Sequence, residues 1–459
     1  MASRRGELDP KGGQVGETAT QSARPFYFMV PFWGERYRNY FLDFCLASML
    51  APNNLGLLRA ADGHRFLIAT TRADWQAIER SPLMEKLRAH ATPTLVEIDN
   101  PKEEAAPGGV AAITKQNAGQ RKLIEIAFRD RVYGSLLLPD IIVSDGMVAA
   151  LLCSVKAGHR LVLCGALRQT QETVLAELDT LGYLPADARP ALTGKPVTIP
   201  PRIVADLAVR HLHWEVTVFD AGDTKAPYLA PFLFWRMPGH RGIILHTSHG
   251  VNVFMDYSAI DNHDLDCLDT ATLEDVYVGR NFARCGGIYV VQDSDEFGVL
   301  SLTPAAVGQR HVPLQRAGHG WFQKTTWCCD FRKAMAWHVG RARDAVRRQL
   351  FCTCIRIHVG DLDKVWKQEE RRIEVLVDRA VGDYRNDGGR PSDFPSFPNL
   401  NPRYLPLDLI LWYRANVRPY SIFIGKALAG DRREWARIGR RIGKIMIGCR
   451  NGAARLLRQ

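Results

Sequence analysis

The sequence predicts an α/β fold, a mainly parallel, Rossmann-like sheet followed by a C-terminal helical extension. Three observations carry this. Short apolar runs recur from residue 26 to residue 164, each is followed by a segment with helical spacing, and the runs stop at polar residues or glycine. Strands that alternate with helices need crossover connections, and crossovers place successive strands in parallel.

Each element has its own signal. Phe26–Phe32 is an aromatic and β-branched run that stops at Trp33-Gly34-Glu35. Tyr37, Tyr40, Phe41, Phe44, Cys45 and Met49 follow at helical spacing up to Pro52. Arg65–Thr70 is the second strand, and Arg72–Ala89 is an amphipathic helix with Trp75, Ile78, Leu83 and Leu87 on its apolar side. Pro93–Ile98 is the third strand, and Ala111–Val132 reads as helix. Asp140–Ser144 is the fourth strand, Met147–Ala157 a helix closed by Gly158, and His159–Cys164 the fifth strand. Beyond residue 183 the rhythm loosens around two proline-rich stretches, with strands expected at Gly242–His246, Val251–Met255 and Gly287–Val291. Helices are expected over Trp327–Leu350 and Leu362–Val381.

The 459 residues are 46% hydrophobic and 24% charged, the balance of a globular chain with enough length to bury a large core. Five segments follow: a polar leader (1–24), the α/β domain (25–305), a helical extension (306–385), a proline-rich linker (386–425) and a basic tail (426–459). Of the net +11, a surplus of +8 lies from Lys426 onward. The body is close to neutral, which disfavours a nucleic-acid groove along it. In the tail, Trp435, Ile438, Ile442, Ile445, Met446 and Cys449 form one helical stripe. Arg433, Arg437, Arg440, Arg441 and Lys444 flank it. With Trp435 they suit an anionic membrane surface, each cation contributing about 1 kcal/mol there. The same stripe also suits docking on the protein's own body. No secretory signal and no membrane-spanning segment is visible, and the ten cysteines lack scaffold spacing, so a cytoplasmic chain, peripheral to a membrane, is expected. Cys328-Cys329 and Cys352-x-Cys354, with His338 and His358 nearby, lack the zinc-knuckle spacing and read as buried thiols.

Gly-x-Gly-x-x-Gly, the P-loop and Gly-x-Ser-x-Gly are all absent, which argues against NAD binding, a P-loop ATP site and an α/β-hydrolase. In an open parallel sheet, ligands bind outside the carboxyl ends of the strands. That edge should present Trp33 and Glu35 after strand one, Arg72 after strand two, Asp99 after strand three and Asp145 after strand four. These groups suit a polar ligand, and equally they suit helix caps.

A literal Asp-x-Asp occurs at Asp293-Ser294-Asp295, just past an apolar run. Alternate residues of an extended chain face the same side, and hard carboxylate oxygens suit Mg²⁺ or Mn²⁺. His246 and His249 close a strand. Asp256 opens a stretch to Asp275 that holds no Lys or Arg, and it is a candidate base for an acceptor hydroxyl.

Phe26–Gly34 as strand and tight loop, Ala127–Gly146 running into Val-Ser-Asp-Gly, and Arg160–Arg168 as a returning strand together resemble the GT-A glycosyltransferases of bacteria, the nucleotide-diphospho-sugar transferase fold. The resemblance spans roughly residues 25–300. It implies a nucleotide-sugar donor over Trp33, Glu35, Arg72 and Asp99, and a glycan or lipid-linked acceptor in surface-polysaccharide or glycoconjugate synthesis. It also implies a divalent metal at an Asp-x-Asp ending the fourth strand, where Ser144-Asp145-Gly146 keeps half of that motif. A late histidine, here His246 or His249, would complete the metal shell. The half motif equally fits a non-catalytic GT-A-fold binding or assembly module.

Overall fold

The computed structural model describes residues 24–99, 110–217, 220–221, 232–247, 250–261, 263–265, 268, 277–307 and 345–386. Its centre is a seven-stranded sheet in the order β3-β2-β1-β4-β10-β6-β11. The strands are β1 (Phe26–Pro31), β2 (Arg65–Thr70), β3 (Thr92–Glu97), β4 (Tyr133–Leu136), β6 (Leu161–Cys164), β10 (Val251–Asp256) and β11 (Ile288–Val290). Only β10 runs against the rest, pairing antiparallel with both β4 and β6. A mainly parallel sheet in a mixed α/β fold is therefore what the chain forms.

Its interior follows from strand alternation. Phe28 and Phe66 are in-register partners on one face, where the helical stretch Glu35–Met49 lays Phe41 5.9 Å from Phe66 and 4.9 Å from Phe32. The other face takes the helix Val110–Arg129, whose Gly119 comes so near that a Cβ there would sit 3.2 Å from the Pro31 Cβ. Burial of each such aromatic ring contributes about 1.5–3 kcal/mol. Arg72–Ala89, read as one helix, is two (Arg72–Ile78 and Pro82–His90), because Pro82 cannot continue the first but starts the second well behind Ser81.

Two smaller sheets flank the main one. The first has the order β5-β12-β7, from β5 (Ile141–Val143), β7 (Arg168–Thr170) and β12 (Val299–Thr303); the second has β13-β9-β8, from β8 (Phe232–Arg236), β9 (Gly242–Thr247) and β13 (Ile355–His358). β13 pairs along β9, so residues 345–386 join the strands of 232–247 through a ladder as well as through the helix Lys364–Asn386. Trp235, Ile244, Phe351, Trp366 and Ile373 form a separate core there.

One strand assignment is corrected. Asp140–Ser144 was expected as the fourth strand of the main sheet, but Ile141–Val143 belongs to the small sheet. The fourth parallel strand is Tyr133–Leu136, directly behind the helix Val110–Arg129, with Arg131 in the left-handed region (φ 55°) making the sharp exit. A four-residue strand hidden between helix and turn has too few residues to show a period. The N-terminal leader and residues 387–459, with the proline-rich linker and basic tail, lie outside the described residues, as do Cys328 and Cys329. Among the described residues no helix is long and apolar enough to cross a membrane. Cys352 is exposed and Cys354 half-buried, the latter with its thiol pushed up to about 12 by burial, so Cys352 is not the buried thiol expected.

Candidate functional site

The strand order fixes where a ligand fits. From β1 the chain proceeds outward through β2 and β3, then returns to the other side of β1 with β4. The loops after β1 and β4 therefore diverge and leave a crevice at the carboxyl edge.

The β1 loop is built to hold its shape. Gly34 sits at φ 81°, which a side chain would strain, and its N–H donates to Asp74 Oδ2 at 2.9 Å. Asp74 is buried, and it also accepts from the Thr71 hydroxyl (2.9 Å) and from Arg38 (3.1 Å). A single carboxylate from the helix after β2 thus braces the loop after β1. Trp33 packs half-buried against the core, and Glu35 stands exposed at the helix start. Arg72 follows β2 and pairs with Glu97 at 2.5 Å, and Asp99 is exposed after β3. Trp33, Glu35, Arg72 and Asp99 accordingly line the carboxyl ends of three adjacent strands.

Across the crevice stands a residue the sequence reading had placed at the start of a strand. Asp140 lies in the turn that follows β4, part-exposed at its surface. Burial pushes its carboxyl above the usual range, while its own backbone amide, Arg168 and Arg36 draw it back. Tyr37 is shifted upward too, first by burial and then by Asp140. Arg36 donates to the Tyr40 hydroxyl at 3.0 Å and lies 5.2 Å from the Tyr40 ring centre, and Tyr40 donates to Gln171 at 2.6 Å. Asp140, Arg36, Tyr37 and Arg168 thus form one electrostatic group where β1 and β4 part. Their available signal was Leu136-Leu137-Leu138-Pro139-Asp140, an apolar run closing on an acid.

A second group sits at the far edge. Asp293 follows β11 and accepts from His358 Nε2 at 2.7 Å, while Asp295 accepts from Arg202 at 3.1 and 3.2 Å. One ligand atom from each of Asp293, Asp295 and His358 can be chosen so that all lie within 4.8 Å of one another, the one such set among the described residues. Burial pushes Asp293 up, but the Asp295 amide, His358 and Arg356 together hold it below the usual carboxylate range. The imidazole faces two acceptors, because Nδ1 lies 2.5 Å from the Gly360 carbonyl. A neutral ring has one N–H, so the second contact needs an imidazolium or a cation. An N–H spent on a backbone carbonyl with the other nitrogen turned to carboxylates is the arrangement of a metal-binding histidine. Two carboxylates and this ring fit Mg²⁺ or Mn²⁺, with Arg202 as the competing charge. Three strand spacings of about 4.8 Å separate β4 from β11, so this group is roughly 14 Å from the crevice along the sheet.

The remaining expected ligands do not join either group. His246 is buried in the second core, donates from Nδ1 to the Phe351 carbonyl (2.9 Å), and is held neutral by burial with a pKa of about 4. His249 lies outside the described residues. Asp145 follows β5 of the small sheet, and Asn53 donates to it from both backbone (2.7 Å) and side chain (2.8 Å), so the basis for placing it at the end of a central strand is gone. Asp256 is corrected as well. β10 runs antiparallel, which puts its last residue beside Tyr133 at the amino edge, fully buried between Arg24 (2.7 Å) and Arg160 (2.5 Å). It bonds the framework from the wrong side of the sheet for a base at the crevice.

No protein-family model and no curated protein matches the chain. Two structures of S. aureus TarS are among the solved structures the chain is similar to. One solved structure of it aligns over 72% of this chain and 41% of its own length, with 7% identity and a TM-score of 0.31. The structure of S. aureus TarS 1-349 aligns over 31% of this chain and 35% of its own, with 9% identity and a TM-score of 0.20. The chain thus spans less than half of each, and likeness at this level decides neither activity nor substrate.

Proposed function

We propose that the chain is a GT-A-like glycosyltransferase that moves a sugar from a nucleotide-sugar donor to a hydroxyl of a glycan or lipid-linked acceptor. The observation that carries the reading is Asp140, a carboxyl raised by burial, set among Arg36, Tyr37 and Arg168 at the point where β1 and β4 diverge. The nucleotide lies over Trp33, Glu35, Arg72 and Asp99. The acceptor oxygen bonds to the anomeric carbon as the bond from that carbon to the diphosphate breaks. The acceptor proton passes to Asp140, whose raised pKa makes it a better base than an ordinary carboxylate. Arg168, in the same group, favours the anionic leaving group by its charge. A divalent metal held by Asp293, Asp295 and His358 would supply positive charge at the far edge of the sheet, roughly 14 Å from the donor, and would not serve the transfer step. The tail stripe (Arg433, Trp435, Arg437, Arg440, Arg441, Lys444) would keep the enzyme at the inner face of an anionic membrane.

The test is a thermal-shift screen of the full chain against UDP-, GDP-, ADP- and CMP-based donors, with and without Mn²⁺. A ligand that binds only the folded state adds about 2.7 kcal/mol at a hundred times its Kd. One nucleotide family should raise the midpoint and release its nucleotide when an acceptor is supplied. No shift with any of the four would replace the transferase by a non-catalytic binding module.

A further inference from the structure

A surface pocket of about 450 Å³ has Arg36 in its lining. Its wall is apolar, made by Tyr40, Phe44, Leu184, Pro185 and Pro190 with Ala176 at the side. Its floor is fixed. The segment Phe41–Leu46 is π-helical, which turns Asp43 inward, and Arg189 grips that buried carboxylate with two nitrogens while the Ala191 N–H donates to it at 3.0 Å. π-Helical turns are frequent at functional sites. Asp43 and Arg189 therefore cancel each other. Arg36 at the mouth is different. Among the described residues it makes no ion pair, only its bond to Tyr40 and its place over the Tyr37 and Tyr40 rings. The pocket presents a largely apolar cavity of ligand size, with the Arg36 guanidinium at its lip facing Asp140 and with Asp179, which accepts from the Ala186 N–H at 2.9 Å, on its lining.

We infer that this pocket binds an amphiphile, an apolar ring or chain carrying an anionic group, and that it is the acceptor subsite beside Asp140. The apolar body fills the space between Phe44 and the two prolines, and the anion meets Arg36. Arg36 is shared between the pocket and the Asp140 group, so a hydroxyl near that anion reaches the base. The acceptor role rests on the transferase reading; the binding role does not. Leu192, 75% exposed, follows Pro190 on the same short helix and extends the apolar surface outward.

The probe is 1-naphthyl phosphate, titrated into the full chain by calorimetry beside 1-naphthol and inorganic phosphate. Naphthyl phosphate should bind saturably and phosphate alone should not. Ala176 is exposed on the helix Gln171–Thr180, so Ala176→Trp fills the pocket without disturbing the core, and it should abolish binding. Arg36→Gln should weaken naphthyl phosphate about tenfold, the scale of one hydrogen bond to a charge, and leave naphthol nearly unchanged. Binding that survives Ala176→Trp, or phosphate as tight as its naphthyl ester, overturns the inference. Nucleotide-sugar binding is scored separately on wild type and on Ala176→Trp, where it should be equal. Its absence from both would remove the donor reading and leave the pocket to be judged by the titration alone.

Discussion

Two acidic groups stand on the same edge of one sheet, roughly 14 Å apart, and their surroundings drive them in opposite directions. Asp140 is pushed up by burial against two arginines that only partly compensate. Asp293 is held down by an amide, an imidazole and a guanidinium that outweigh its burial. A carboxyl held up takes a proton readily, and one held down keeps its charge for a cation. The difference teaches that spacing in sequence is a poor guide to role. Asp293-Ser294-Asp295 has the wording of a metal motif, yet it lies three strands from the crevice, while the acid that faces the crevice belongs to no motif.

The strongest way to break the comparison is Asp140→Asn. The amide keeps the shape and cannot accept the proton, so transfer should fall by about a hundredfold or more. Donor binding, read by thermal shift, should hold. Asp293→Asn should leave transfer much higher than Asp140→Asn does. If the two losses are equal, both groups serve one site and the separation along the sheet has no functional meaning.

What the sequence disclosed follows the same division. The parallel sheet was legible because β1, β2, β3 and β6 are apolar runs that end in polar residues or glycine, and that pattern needs no knowledge of partners. Trp33, Glu35, Arg72 and Asp99 were legible for that reason, being strand ends. Tyr133–Leu136 was hidden because four residues carry no period, and missing it moved the fourth strand to Asp140–Ser144 and the site acid to Asp145. Asp256 was misplaced because direction is invisible in an isolated strand. Only the pairing of β10 with β4 puts it at the amino edge. His358 was beyond reach, since 65 residues separate it from Asp293 and the ladder between β13 and β9 brings β13 into the second flanking sheet.

A smaller effect sharpens the second half of the comparison. Mn²⁺ titrated into the full chain should raise the unfolding midpoint, by about 2.7 kcal/mol of stability at a hundred times its Kd. His358→Gln should remove that gain. Arg202→Met, which takes away the guanidinium competing for Asp295, should tighten the ion rather than weaken it. A gain that persists in His358→Gln would mean that the ring is an imidazolium partner of Asp293 and the ion binds elsewhere.

The smallest effect is in stability against pH, and the two acids should give opposite signs. Asp293 has a lowered pKa in the fold, so its contribution is present above the unfolded value near 3.8 and is lost as pH falls through the folded value. Asp140 has a raised pKa, so its contribution is present below 3.8 and is lost as pH rises through the folded value. Midpoints measured from pH 2.5 to 7 should therefore show Asp140→Asn gaining on wild type as pH rises, with the two converging in acid. Asp293→Asn should instead lose the acid-side slope of wild type. Slopes are the quantity to compare, because Asp293→Asn also leaves His358 without its carboxylate and shifts the whole curve. If Asp140→Asn fell below wild type at neutral pH, the Asp140 carboxylate would be a stabilising partner of Arg36 and Arg168. A base poised to take a proton would then have to be sought elsewhere on the edge.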